Sequence, residues 1–146
     1  VPTTDSGIRS LRGPSGSWRS VAAWAVLILV ATTVPVADLV TRAPALWLDK
    51  FVHGGLYLVL GWLVGAALCA MGRRGVAAWL VGLLGLAGFA LLDEVHQRWL
   101  PGRVASLGDW AADVAGATVG LTLGMILWNV LQPPKRPGRV TNREEL

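Results

Sequence analysis

Residues 51–71 read FVHGGLYLVLGWLVGAALCAM, a stretch with no Lys, Arg, Asp or Glu and with His53 as its most polar side chain. About 20 apolar residues in a helix span the ~30 Å hydrocarbon core of a bilayer, so this segment is long enough to cross one. Lipid offers nothing to an unpaired backbone N–H or C=O, which forces such a segment into a helix or a closed barrel. The strict alternation of a barrel strand is missing. The segment therefore predicts a transmembrane helix.

Three more runs of the same kind flank it. They extend from about Trp18 to Pro35, from Val76 to Leu92 and from Trp110 to Leu131, where Pro133 and Pro134 follow. Each is roughly 17–22 residues long, within the range that spans a bilayer. The composition agrees: of 146 residues 53% are apolar, only 15% are charged and eight are Trp. A water-soluble domain of this size needs more polar surface than that. The expected fold is all-α, a four-helix transmembrane bundle covering residues 18–131. Polar tails lie at 1–17, read as disordered, and at 132–146, which is basic. The first run is slightly long for the core of a cleaved signal peptide and no clean Ala-x-Ala-like site follows it, so it reads as a retained helix.

The net charge of +4 does not mark a nucleic-acid binder, because the basic residues form no single patch with interleaved aromatics. They mark topology. Arg9, Arg12 and Arg19 lie before or at the very start of the first run, Arg73 and Arg74 sit between the second and third, and Lys135, Arg136, Arg139 and Arg143 follow the fourth. The other two loops hold only Arg42, Lys50, Arg98 and Arg103. By the positive-inside tendency both termini are expected in the cytoplasm of a multi-pass protein of the bacterial plasma membrane. Trp47, Trp99 and Trp110 then read as outer-interface anchors, with Trp79 and Trp128 on the other side. Cys69 stands alone in an apolar run, which excludes a disulfide framework or a Cys-based metal site within one chain.

The acidic residues gather at the opposite ends of the helices. Asp49, His53, Tyr57, Gly61 and Gly65 recur every four residues and share one helix face. Asp109, Asp113 and Ala117 repeat that plan beside Gly116, Gly120 and Gly124, and Asp93, Glu94, His96 and Gln97 close the third run. Small residues at this spacing let helices approach closely in lipid, which would bring the polar ends into one outward-opening pocket. The same glycines would also serve a homo-oligomer. Asp113, set about one turn inside its helix, is the sharpest position, because an ionisable group there faces a partner or water. A pairing with Arg103 or a cap would explain it structurally. His53 alone would read as a packing residue; with Asp49 four residues before it, it becomes a site candidate.

The candidate catalytic residues are His53, Glu94 and Asp109. The candidate substrate-binding residues are Asp49, Lys50, Tyr57, Asp93, His96, Gln97, Arg103 and Asp113. His53 or Glu94 would act as general base, Arg103 would hold a phosphate and Asp109 would orient a partner. Pairing of Arg103 with Asp109 and snorkelling of Lys50 to the head groups are the plainer readings. Asp93-Glu94-x-His96-Gln97 is not the His-Glu-x-x-His zinc pattern. No metal ligands and no cofactor are assigned, although His53, His96 and one or two carboxylates are of the type that holds a divalent ion.

Taken in order, Asp49-Lys50-x-x-His53 with Tyr57, Asp93-Glu94-x-His96-Gln97, Pro101-Gly102-Arg103, Asp109 and Gly116-x-x-x-Gly120 resemble the VanZ-like family of small bacterial membrane proteins. The likeness runs from about Val21 to Leu131. At the position of Asp113 that family more often has Asn, which favours a hydrogen-bonding role there. The resemblance implies a cell-envelope protein, with a named member linked to low-level teicoplanin resistance, but no settled reaction.

Three functional classes remain open on this reading. One is an enzyme that modifies a lipid-linked envelope component, with membrane lipids and a lipid-linked cell-wall precursor as partners. Another is a non-catalytic binding or partner-interaction protein whose outer cluster is structural. An ion-coupled transporter comes last, since there is no inverted second half.

Overall fold

The structure, a computed structural model, describes residues 14–33, 45–101 and 106–131. Among them it has four helices and no strand: α1 (Pro14–Thr33), α2 (Ala45–Ala70), α3 (Val76–Gln97) and α4 (Leu107–Leu131). The all-helical expectation holds. The apolar parts of three, Lys50–Ala70, Val76–Gln97 and Leu107–Leu131, are long and apolar enough to cross a membrane, while that of α1, Ser17–Thr33, is shorter.

The bounds of α2, α3 and α4 differ from the expected ones in one consistent way. At the end where the acidic residues gather, α2 and α4 begin earlier than Phe51 and Trp110, and α3 runs on past Leu92. Polar residues that look like helix-ending signals are instead carried on the last turns, where other helices shield them. The opposite end follows expectation for these three helices, whereas α1 begins at Pro14, four residues before Trp18, so that the last residues of the expected disordered tail are helical. Gly72 and Gly75 both have positive φ, 74° and 85°, and reverse the chain between α2 and α3 within a few residues.

The centre of the bundle is the α2–α4 pair, packed along a reciprocal glycine seam. A Cβ added at Gly61 would lie 2.9 Å from the Leu121 nitrogen, and one at Gly65 3.0 Å from that of Met125. From the other side, a Cβ at Gly120 would run into the Leu58 carbonyl and lie 2.9 Å from the Trp62 nitrogen. Backbones this close leave no room for a side chain, which is the packing that small residues at four-residue spacing permit in lipid.

The remaining helices lean on this pair through Trp donors. Trp24 Nε1 gives a hydrogen bond to the Leu56 carbonyl at 2.9 Å, tying α1 to α2. Trp79 Nε1 reaches Thr122 Oγ1 at 3.1 Å and Trp110 Nε1 the Ala87 carbonyl at 3.3 Å, tying α3 to α4. Between α1, α2 and α3 lies an apolar cavity of about 280 Å³, lined among others by Val21, Ala25, Val64, Gly85 and Phe89. Outward-facing positions such as Val26, Val30, Leu84 and Ile126 are exposed and apolar, as a lipid-facing surface requires.

Candidate functional site

At the end of the bundle where α1 and α3 finish and α2 and α4 begin, the interior turns polar. Thr32, His53, Asp93, Glu94, Gln97 and Asp113 are all buried, none more than 4% exposed, and Tyr57 is fully buried with them. They come from all four helices. The seam sets part of this arrangement, because His53 and Asp113 lie on the two faces that the glycines press together.

Side-chain pairs cross from α2 to α4. His53 Nδ1 lies 3.2 Å from Asp113 Oδ1, both side chains buried. Towards the rim, Lys50 Nζ donates to Asp109 Oδ1 at 2.5 Å, with the lysine 39% and the aspartate 14% exposed. Lys50 is thus engaged with a carboxylate, and Asp113 takes a histidine as its partner.

Asp93 is held from two sides. Thr32 Oγ1 donates to its Oδ1 at 2.9 Å, and the Tyr57 hydroxyl donates to its Oδ2 at 3.5 Å. Glu94 receives the Ser106 backbone N–H on Oε2 at 2.9 Å. Among the described residues, three buried side-chain atoms have no hydrogen-bond partner: Glu94 Oε1, Gln97 Nε2 and Asp113 Oδ2. Orphaned carboxylate oxygens in a buried setting cost free energy unless something else reaches them.

The candidates chosen from sequence divide accordingly. His53, Tyr57, Asp93, Glu94, Gln97 and Asp113 meet in the cluster, and Lys50 and Asp109 form its rim. His96 is exposed and stands apart. Spacing explains the split: Asp93 and Gln97 are four residues apart on α3 and share a face, whereas His96, two residues from Glu94, points elsewhere. Asp49 lies in the first turns of α2, its side chain outside the described set, and Arg103 lies outside the described residues. The sequence reading missed Thr32. Its signal was there, a hydroxyl at the end of an apolar run on the side where the acidic residues gather. Ser106, which reaches Glu94 through its backbone, left no side-chain signal at all.

As chemistry, the cluster is rich in acceptors and poor in positive charge. One imidazole and the carboxylates of Glu94 and Asp113 bring ligand-type atoms within 4.8 Å of one another. Among the described residues, no other such group of His, Cys, Asp and Glu occurs.

Comparison with known proteins returns a match to one family profile, described as VanZ/LLP1, over residues 14–129. No curated protein and no solved structure matches. The matched stretch takes in all four helices up to the last turn of α4, together with every residue of the buried cluster. With helices long and apolar enough for a multi-pass membrane protein, and most of its length matched by that profile, the chain belongs to the VanZ/LLP1 family.

Proposed function

We propose that this protein works in the cell envelope by holding the polar head of a lipid-linked component at the buried cluster between its four helices. In this reading the cluster lies on the extracytoplasmic side, as the distribution of Lys and Arg suggests, with both termini in the cytoplasm. The observation that carries the proposal is the concentration of polar side chains at one end of an otherwise apolar interior, with Glu94 Oε1 and Asp113 Oδ2 lacking partners. Buried ionisable groups are costly within a membrane and tend to mark function. Hydroxyl and amide hydrogens of a head group would meet these acceptors, and Lys50 at the rim would add positive charge for a phosphate.

Binding takes precedence over turnover in this reading. The buried groups serve as fixed contacts in it, His53 held by Asp113 and one oxygen of Glu94 by the Ser106 N–H. A part in glycopeptide (teicoplanin) resistance would then follow from sequestering or altering an envelope lipid. Native mass spectrometry of the detergent-purified protein tests the proposal, comparing wild type with Glu94→Gln and His53→Ala. A lipid that stays with the wild type and leaves both variants supports it. Identical mass profiles at equal stability overturn it. If a reaction occurs, loss of one carboxylate abolishes it nearly completely, whereas pure binding weakens by degrees.

A further inference from the structure

We infer that His53, Glu94 and Asp113 form a divalent-cation site that draws its ligands from three helices, with zinc the best-matched ion. The inference rests on the same cluster as the lipid-binding reading, but its test uses the metal alone, so the two can fail separately.

Three observations carry it. The ligand atoms of the three residues lie within 4.8 Å of one another, all buried. Ligand atoms on a four-coordinate ion with bonds of about 2.1 Å stand about 3.4 Å apart, so side-chain rotations that draw the atoms in by roughly an ångström close the set. Glu94 Oε1 and Asp113 Oδ2 each lack a donor. A proton shared between them would satisfy that pair alone, whereas a cation engages both carboxylates and the imidazole together. Finally, the cluster's remaining carboxylate is already satisfied, since Asp93 receives Thr32 and Tyr57. The candidate ligand set is thus one imidazole and two carboxylates.

That donor set selects the metal class. Imidazole favours zinc and its first-row neighbours, while an all-oxygen set would favour magnesium or calcium. Three protein ligands leave a coordination position open, the arrangement of zinc sites that bind a further ligand rather than purely structural ones. A head-group phosphate oxygen is a ligand of the right kind for that position.

The untagged full-length protein, purified in detergent, is stripped with chelator, loaded with zinc, manganese or magnesium chloride and freed of excess metal by desalting; its metal content is then measured by plasma mass spectrometry. About one zinc per chain should remain on the wild type and on His96→Ala, with far less manganese and essentially no magnesium. Glu94→Gln and Asp113→Asn keep size and shape; each should weaken zinc binding at least about tenfold, the low end of what disturbing a metal's support costs. Should either variant fail to fold, cobalt(II) added to the wild type supplies the second readout. An intense visible band, absent from aqueous cobalt, reports a low-coordinate nitrogen–oxygen site. Zinc retention unchanged in both carboxylate variants, or lost with His96→Ala, overturns the inference. So does a wild type that keeps no zinc and gives only the aqueous cobalt spectrum.

Discussion

The two sides of the bundle are built differently. Between α2 and α4 the backbones touch, with glycines from each helix set against the main chain of the other. Between α1 and α3 there is little direct contact, and an apolar cavity of about 280 Å³ lies between them and α2. Glycine shows the contrast directly. Added Cβ atoms at Gly116, Gly120 and Gly124 would collide with α2, while at Gly85 and Gly88 they would meet nothing within 4 Å. One side is a fixed spine that sets the distance between His53 and Asp113. The other is a looser attachment that depends on side-chain contacts and on the polar cluster itself.

Breaking the spine should have the largest effect. Gly120→Leu places a branched side chain against the Leu58 carbonyl and Trp62, with only main chain to move. Overpacking typically costs about 1–3 kcal/mol and more where backbone must shift, so loss of monodisperse protein on size exclusion is expected. A variant as stable as wild type would disprove the close approach. Next comes Asp93→Leu, which strands the Tyr57 hydroxyl, leaves Thr32 only the Ile28 and Leu29 carbonyls of its own helix, and removes a link between three helices. A loss of about 1–3 kcal/mol is expected from the unpaired hydroxyl, read as a lower thermal midpoint in the same detergent.

Thr32→Val sharpens the estimate, because it removes one donor and keeps the shape. Hydrogen bonds between membrane helices average about 0.6 kcal/mol in double-mutant cycles, and a drop of that order is expected. Paired with Asp93→Leu in such a cycle, it should show coupling. The smallest effect belongs to the loose side. Gly88→Ala meets open space and gains up to about 1 kcal/mol of helix propensity, so it should leave the midpoint unchanged or raise it slightly. A clear loss there would mean that this face packs more tightly than its surroundings suggest.

Much of this organisation was legible in the sequence, and the limits have physical reasons. The run of residues 51–71 and its companions announced helices in lipid, since length and apolarity are local properties. The stripe from His53 through Tyr57 to Gly61 and Gly65 also proved to be one buried face. Helix ends were harder, because Asp93 to Gln97 resemble a loop unless it is known that other helices cover them. The partner of Lys50 could not be read from spacing, as Asp109 lies 59 residues away on another helix. His96 illustrates the opposite case. Its place two residues from Glu94 already set it off the shared face, a clue carried by helical periodicity alone.

The turn between α2 and α3 has a mechanical consequence. Gly75 adopts φ 85° and ψ −178°, a region almost reserved for glycine. From that pivot α3, 22 residues long, runs about 27 Å at 1.5 Å per residue before it delivers Asp93 and Glu94 near its far end. On an arm of that length a tilt of about 5° displaces the carboxylates by about 2.4 Å, enough to break a hydrogen bond. The four-residue bend at one membrane face therefore acts as the fulcrum of a lever, and the aim of the carboxylates at the other face depends on how stiffly those two glycines hold it.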